Sequence, residues 1–197
     1  MSRSKEAIRR DVRGRLSQLP PSARRAMEHD LIARLGTLPE LQAVRFLAGF
    51  WPMGHEPDVT TWLEKNHRAG TTILLPRVRH FKRSRIPGAE RVEFARFEGR
   101  AELLQNRWGI GEPTGPAVPL PATGILLVPA LAVSRAGTRL GHGFGYYDEI
   151  MDNHPGLLPI CAVFGAQLSE DLPVEQHDRP VRVIITPEEV IRTDLDA

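Results

Sequence analysis

Short apolar runs recur along this chain with stretches of helical periodicity between them, and that alternation limits the fold more than any other feature. Residues 44–51, 71–75, 124–130, 158–164 and 181–186 read as buried strands, most of them closed by proline or glycine. Ile8, Val12 and Leu16 recur every four residues, so 4–17 is an amphipathic helix that ends before Pro20 and Pro21. Ser22 is placed to cap a second helix with Met27, Leu31, Leu35 and Leu38 on its inner stripe. A third helix is expected to start at Pro57 and stop near Gly70, and a fourth to run from Tyr146 to about Pro155. Such alternation predicts an α/β protein in three α/β/α layers with a mostly parallel sheet. At 197 residues with 41% hydrophobic content, one domain covering 1–197 is expected. The strand at 71–75 is expected to stop at Pro76, residues 91–97 to be extended, and the turn-rich stretch 109–121 to be a surface loop.

The most unusual stretch within this frame is Gly137-Thr-Arg-Leu-Gly-His-Gly-Phe-Gly-Tyr-Tyr-Asp148. Glycines at 141, 143 and 145 free the backbone for positive φ and let a ligand approach the amides. With the strand at 124–130 before it and a helix after it, the stretch lies where open α/β sheets bind anions. It is not a Walker A loop, since no Gly-Lys-Ser/Thr follows, and its spacing is not the dinucleotide fingerprint. Spacing alone is equally consistent with a phosphate cradle and with a tight turn whose tyrosines pack in the core.

The net charge of +2 conceals an asymmetry: Lys/Arg outnumber Asp/Glu nine to four over 1–34 and again over 77–107, and are outnumbered five to twelve over 108–197. Basic clusters of this kind suit an anionic partner. A nucleic acid is not expected, because no aromatic-basic RNA motif, zinc site or recognition-helix pattern accompanies the charge. Lys5, Arg9 and Arg13 share a four-residue step, which aligns them on one helix flank, either to reach phosphates or as a solubilising edge. Glu56 falls between a strand end and a helix start, a place for a ligand contact or for a carboxylate facing a helix dipole. The lone Cys161 lies in an apolar run and reads as a packed strand residue. The longest apolar runs are interrupted by proline and too short to span a bilayer, and no charged start leads into an apolar segment, so a soluble cytoplasmic protein is expected.

Several segments together resemble one family, the 5-formyltetrahydrofolate cyclo-ligases, also called methenyltetrahydrofolate synthetases. They are the Lys5-x-x-x-Arg9 helix, Phe50-Trp-Pro-Met-Gly-His-Glu56, Trp108-Gly-Ile-Gly-Glu-Pro113, Val128-Pro-Ala-Leu-Ala-Val133, Arg139-Leu-Gly-His-Gly-Phe-Gly-Tyr-Tyr-Asp148, Gln167, Leu172-Pro-Val-Glu-Gln-His-Asp178 and Ile185-Thr186. The resemblance implies a fold similar to ribose-phosphate isomerases and coenzyme A transferases. It implies an enzyme that uses ATP and Mg2+ to close 5-formyltetrahydrofolate, with or without a polyglutamate tail, into 5,10-methenyltetrahydrofolate. By the same resemblance Lys5 and Arg9 hold ATP phosphates, and Arg139, Leu140, Gly141, His142, Gly143, Phe144, Gly145, Tyr146 and Tyr147 wrap the nucleotide. Trp51 and Glu56 face the pterin, with His142, Gly143, Phe144, Gly145 and Tyr146 between the two substrates. Arg139, His142, Gly143 and Tyr146 are the implied catalytic group, and Asp148 and Asp178 the implied magnesium ligands. Phe144, Pro57 and Arg182 depart from the residues usual in the family. No residue is identified as a general base, and a monomer is expected.

Overall fold

The computed structural model describes residues 3–42, 44–80 and 90–193, so part of the second basic stretch lies outside the described residues. Helices α1 (Lys5–Ser17), α2 (Pro21–Leu35) and the single turn α3 (Pro39–Gln42) precede strand β1 (Phe46–Ala48). Helix α4 (Thr60–Arg68) and strands β2 (Thr72–His80) and β3 (Glu90–Arg96) follow. A hairpin of β4 (Leu103–Gln105) and β5 (Gly111–Pro113) leads to β6 (Gly124–Leu127). A second hairpin, β7 (Ala132–Val133) with β8 (Arg139–Leu140), is followed by α5 (Tyr146–Asn153) and strands β9 (Leu157–Ala162), β10 (Val183–Ile185) and β11 (Val190–Arg192).

Seven strands form one sheet in the order β11-β10-β9-β6-β1-β2-β3. The inner strands β10, β9, β6, β1 and β2 are parallel, and the edges β11 and β3 pair antiparallel. Side chains alternate between faces as the pleat requires. Leu47, Ile73, Leu75, Ile125, Leu127, Ile160 and Ile185 pack with Leu31, Leu35, Trp62 and Leu63 of α2 and α4. Their neighbours Ala48, Leu74, Leu126, Cys161 and Ile184 pack with Ile150 and Met151 of α5 on the opposite face. The result is the expected three-layer arrangement. Ile8, Val12 and Leu16 form a smaller cluster with Ala132, Leu140 and Phe164, which lays α1 across the β7–β8 hairpin.

Local departures from the sequence reading have physical causes. β2 runs through Pro76 rather than stopping there. Leu74 O accepts Gly49 N–H on the β1 side, and Pro76, two residues on, turns its nitrogen the same way, beyond the last residue of β1. No ladder bond is lost, so the proline is tolerated. Ser22 does not cap α2, whose cap is Pro20 with Pro21 in the first turn, where the missing N–H costs nothing. α4 begins at Thr60, not Pro57, because Asp58 Oδ1 accepts from both Thr60 N and Thr60 Oγ1, at 2.9 and 2.6 Å. Residues 111–113 of the expected surface loop form β5, and the β7–β8 hairpin stands between β6 and the glycine stretch. The buried Gln167 closes a turn by donating to Ala130 O at 2.7 Å and accepting from Phe164 N at 2.9 Å. Among the described residues no helix is long and apolar enough to cross a membrane.

Cys161 is fully buried in β9, and burial pushes its thiol up to about 12, with a small opposing pull from Arg139. A thiol reagent at pH 8 is expected to leave the native protein unlabelled and to label one site per chain in denaturant, as mass spectrometry would read. Rapid native labelling would show that β9 is not packed as described.

Candidate active site

The chain steps from β1 outward through β2 to β3, and from β6, on the other side of β1, outward through β9 and β10. The switch between those directions opens a crevice at the carboxyl ends of β1 and β6, where open α/β sheets take ligands. A cavity of about 600 Å³ occupies it. Its walls come from Phe50, Trp51, Met53 and Glu56 after β1, from Pro129 after β6, from α1, and from the glycine stretch through Asp148.

Burial of Ile8 and Val12 against the hairpin turns Lys5 and Arg9 into the cavity, but Arg13 is not among its lining residues. Lys5 Nζ donates to both oxygens of Asp178, at 3.0 and 2.8 Å, across 173 residues of chain. Arg9 Nε donates to Gly141 O at 2.9 Å. Burial works to raise the Asp178 carboxyl, but the Lys5 ammonium and the Glu175 N–H outweigh it and hold the group below the usual carboxylate range. Glu175, His177 and Asp178 each present a donor atom, all within 4.8 Å of one another.

The glycines act for different reasons. Gly143 and Gly145 take positive φ, 107° and 72°, and Gly145 caps α5. Gly141 does not; a Cβ there would stand 2.7 Å from Arg139 Nη1, so a side chain at 141 would have to shift the guanidinium. Arg139 is buried beneath the loop and pairs through Nη2 with Asp148 Oδ1 at 2.7 Å. Its Nε is buried without a partner among the described residues, as is the Tyr147 hydroxyl. Burial, aided by the charge of Glu56 and opposed by Arg139, raises the Tyr147 phenol. The tyrosine pair divides: Tyr147 packs against both central clusters, while Tyr146 stacks on Phe144 with ring centroids 5.5 Å apart. At the start of this stretch Gly137 has φ 90°, and a Cβ would meet Val181 O at 2.4 Å. Gly137→Ala is therefore expected to cost roughly 2–4 kcal/mol, read as a lowered midpoint in urea. A change under about 0.5 kcal/mol would contradict that packing.

Opposite the loop, Glu56 is 4% exposed. Its Oε2 accepts Met53 N–H at 2.9 Å and its Oε1 lies 3.3 Å from His142 Nε2. Trp51 forms a wall backed by Phe97, at 5.7 Å between centroids, and by Gly111, where a Cβ would stand 3.0 Å from the indole nitrogen. The sequence reading did not assign Trp108, Asn106, Glu112, Glu175 or His177 to the site, and all line the cavity. Trp108 and Glu112 lie in the segment 108–113, and Glu175 and His177 in the segment 172–178, both of which carry the family resemblance; no such segment marks Asn106. Phe144 and Trp108 are exposed at the mouth, their rings 6.4 Å apart. Several arginines of the two basic stretches are held in internal pairs, Arg24 with Glu28, Arg77 and Arg79 with Glu93, and Arg100 with Glu64.

A cation-lined glycine loop facing a carboxylate and an indole is thus one continuous site, and the model of the 5-formyltetrahydrofolate cyclo-ligase family matches residues 1–187, which include all of it. The chain belongs to that family. Its cyclo-ligase relatives include the 5-formyltetrahydrofolate cyclo-ligase of Escherichia coli, 30% identical over 91% of this chain and 98% of that protein. The cyclo-ligase of Mycolicibacterium smegmatis is 30% identical over 94% of each. The NMR structure of the Aquifex aeolicus 5,10-methenyltetrahydrofolate synthetase superposes with a TM-score of 0.81 at 28% identity, covering 98% of this chain and 94% of that one.

For a cyclo-ligase the donor sets fit the groups implied. Arg139 Nε and the Tyr147 hydroxyl, unpartnered among the described residues, with the positive-φ glycines of the loop, suit a phosphate-bearing ligand. The carboxylates of Asp148 and Asp178 are hard oxygen donors of the kind Mg2+ takes. Asp148 is not part of the Glu175-His177-Asp178 cluster.

Proposed function

We propose that the chain catalyses ATP-dependent closure of 5-formyltetrahydrofolate to 5,10-methenyltetrahydrofolate, with release of ADP and phosphate. The observation that carries this reading is the single cavity in which a cation-lined glycine loop faces Glu56 and Trp51, so that a polyphosphate and a flat polar ring can be held against each other. A formamide oxygen is a poor leaving group. Transfer of the γ-phosphoryl group to it breaks the bond to ADP and leaves an imidate-type carbon open to N10. When N10 has added and lost its proton, the carbon–oxygen bond breaks and phosphate departs. This chemistry needs mainly positioning and charge neutralisation.

Lys5 and Arg9 hold the ATP phosphates, and residues 139–147 wrap the nucleotide. Arg139, His142, Gly143 and Tyr146 stand nearest the transferred group, with Phe144 and Gly145 beside the substrates. Glu56 and Trp51 take the pterin. Asp148 and Asp178 hold magnesium, directly or through water, and the ion when bound neutralises phosphate charge. The protein is further read as one domain, a monomer and cytoplasmic; the family match over nearly the whole chain supports the first. The layered sheet is read as the arrangement of ribose-phosphate isomerases and coenzyme A transferases, which would not by itself select the reaction.

The test is appearance of methenyl product, followed by its absorbance, when purified protein receives both ATP and 5-formyltetrahydrofolate. Product is expected only with both present. Well-folded protein that binds ATP but forms no product would overturn the reading in favour of a relative acting on another substrate.

A further inference from the structure

N10 carries a hydrogen in 5-formyltetrahydrofolate and none in the methenyl product, so ring closure must deliver a proton to some acceptor. The need arises between addition of N10 to the activated formyl carbon and departure of phosphate, since an adduct still protonated at N10 reverts. Most groups lining the cavity cannot take that proton. Arg9 and Arg139 are permanent cations, Asp178 and Asp148 are paired with Lys5 and Arg139, and the Tyr147 phenol is buried and shifted upward. His177 lies largely exposed beside Glu175, with the Lys5 cluster.

His142 differs from all of these. Its Nε2 lies 3.3 Å from Glu56 Oε1, and the Glu56 side chain is buried with its other oxygen fixed by Met53 N–H. Donation of Nε2–H to that carboxylate leaves the lone pair on Nδ1, which has no hydrogen-bond partner among the described residues. A buried carboxylate in this position holds the ring in one tautomer and balances the charge that appears when the ring takes a proton. The contact joins the glycine loop to the end of β1, across 86 residues of chain, and so sets the imidazole between the two halves of the cavity. A carboxylate has about four acceptor positions, so Glu56 keeps capacity for the pterin while engaging His142 and Met53.

We propose that His142, held by Glu56, is the base that removes the N10 proton. The inference rests on the cyclisation reading above. The N10 electron pair forms the bond to the imidate carbon, and Nδ1 takes the proton from N10. The carbon–oxygen pair leaves with phosphate as the N10 lone pair completes the amidinium. The imidazolium then releases its proton to solvent. Glu56 is a positioning residue in this step.

The experiment compares single-turnover product formation by the parent, His142→Ala and His142→Gln, with ATP and 5-formyltetrahydrofolate prebound. Both variants are expected to lose about 10²–10³-fold in rate while apparent affinities for the two substrates change less than about 3-fold. Free imidazole is expected to restore about 10-fold or more of the loss in His142→Ala and none in His142→Gln, whose side chain fills the space. A variant rate within about 3-fold of the parent, or a loss that imidazole does not repair, overturns the assignment. Either result leaves the cyclisation reading intact, because that reading is judged on product made by the parent; a parent that makes none defeats both.

Discussion

Arg139→Ala is expected to lower kcat/KM for ATP by about 10³-fold, close to 4 kcal/mol, with a much smaller change in the KM for 5-formyltetrahydrofolate. The guanidinium lies under the glycine loop, 5% exposed, with one nitrogen on Asp148 and its Nε unpartnered among the described residues. A cation so placed is already oriented and needs no reorganisation when phosphate charge arrives. Alanine also leaves Asp148 with the Arg179 N–H as its remaining partner, at 3.1 Å, so a stability loss of up to about 3 kcal/mol is expected alongside. Arg139→Lys separates the two effects. It retains the charge for Asp148 but loses the planar fork, so the melting temperature should largely recover while ATP use stays impaired. Equal effects on both substrates in steady-state kinetics would contradict the nucleotide assignment.

The second large effect is expected at the other wall. Glu56→Gln should reduce kcat/KM for 5-formyltetrahydrofolate by about 10²-fold and leave the KM for ATP nearly unchanged. The amide keeps the size of the side chain but replaces one acceptor with a donor, beside Met53 N–H and the His142 ring. The variant also loses the negative charge and acceptor positions that the ionised carboxylate offers to His142 and the pterin. An unchanged folate response, measured at saturating ATP, would remove Glu56 from the site.

Much of this architecture is legible in the residues, and the illegible parts share a cause. The parallel centre of the sheet is readable because both its faces are covered, so Leu47, Ala48, Leu126, Leu127, Ile184 and Ile185 fall in continuous apolar runs. The edge strands are not, since β3 alternates charged residues such as Glu93 with Phe94, and β11 ends on the exposed Arg192. Hairpins with two or three residues a side are shorter than any periodic signal. On the site, the four-residue step of Lys5 and Arg9 and the glycine ladder are local and could be found. Their partners are not local: Asp178 lies 173 residues from Lys5, Gly141 132 from Arg9, and Glu56 86 from His142. Of the tyrosine pair only Tyr147 packs in the core, because successive residues at a helix start point in different directions, Tyr147 inward and Tyr146 toward Phe144.

Oxygen-18 placed in the formyl group of 5-formyltetrahydrofolate gives the most direct measurement of whether the two halves of the cavity act on each other as described. Transfer of the γ-phosphoryl group to the formyl oxygen requires that every inorganic phosphate released in a turnover carry that one heavy atom, as mass spectrometry of the phosphate would show. Unlabelled phosphate, with the heavy oxygen recovered in water, would mean that ATP is cleaved without touching the folate, and the account would be wrong.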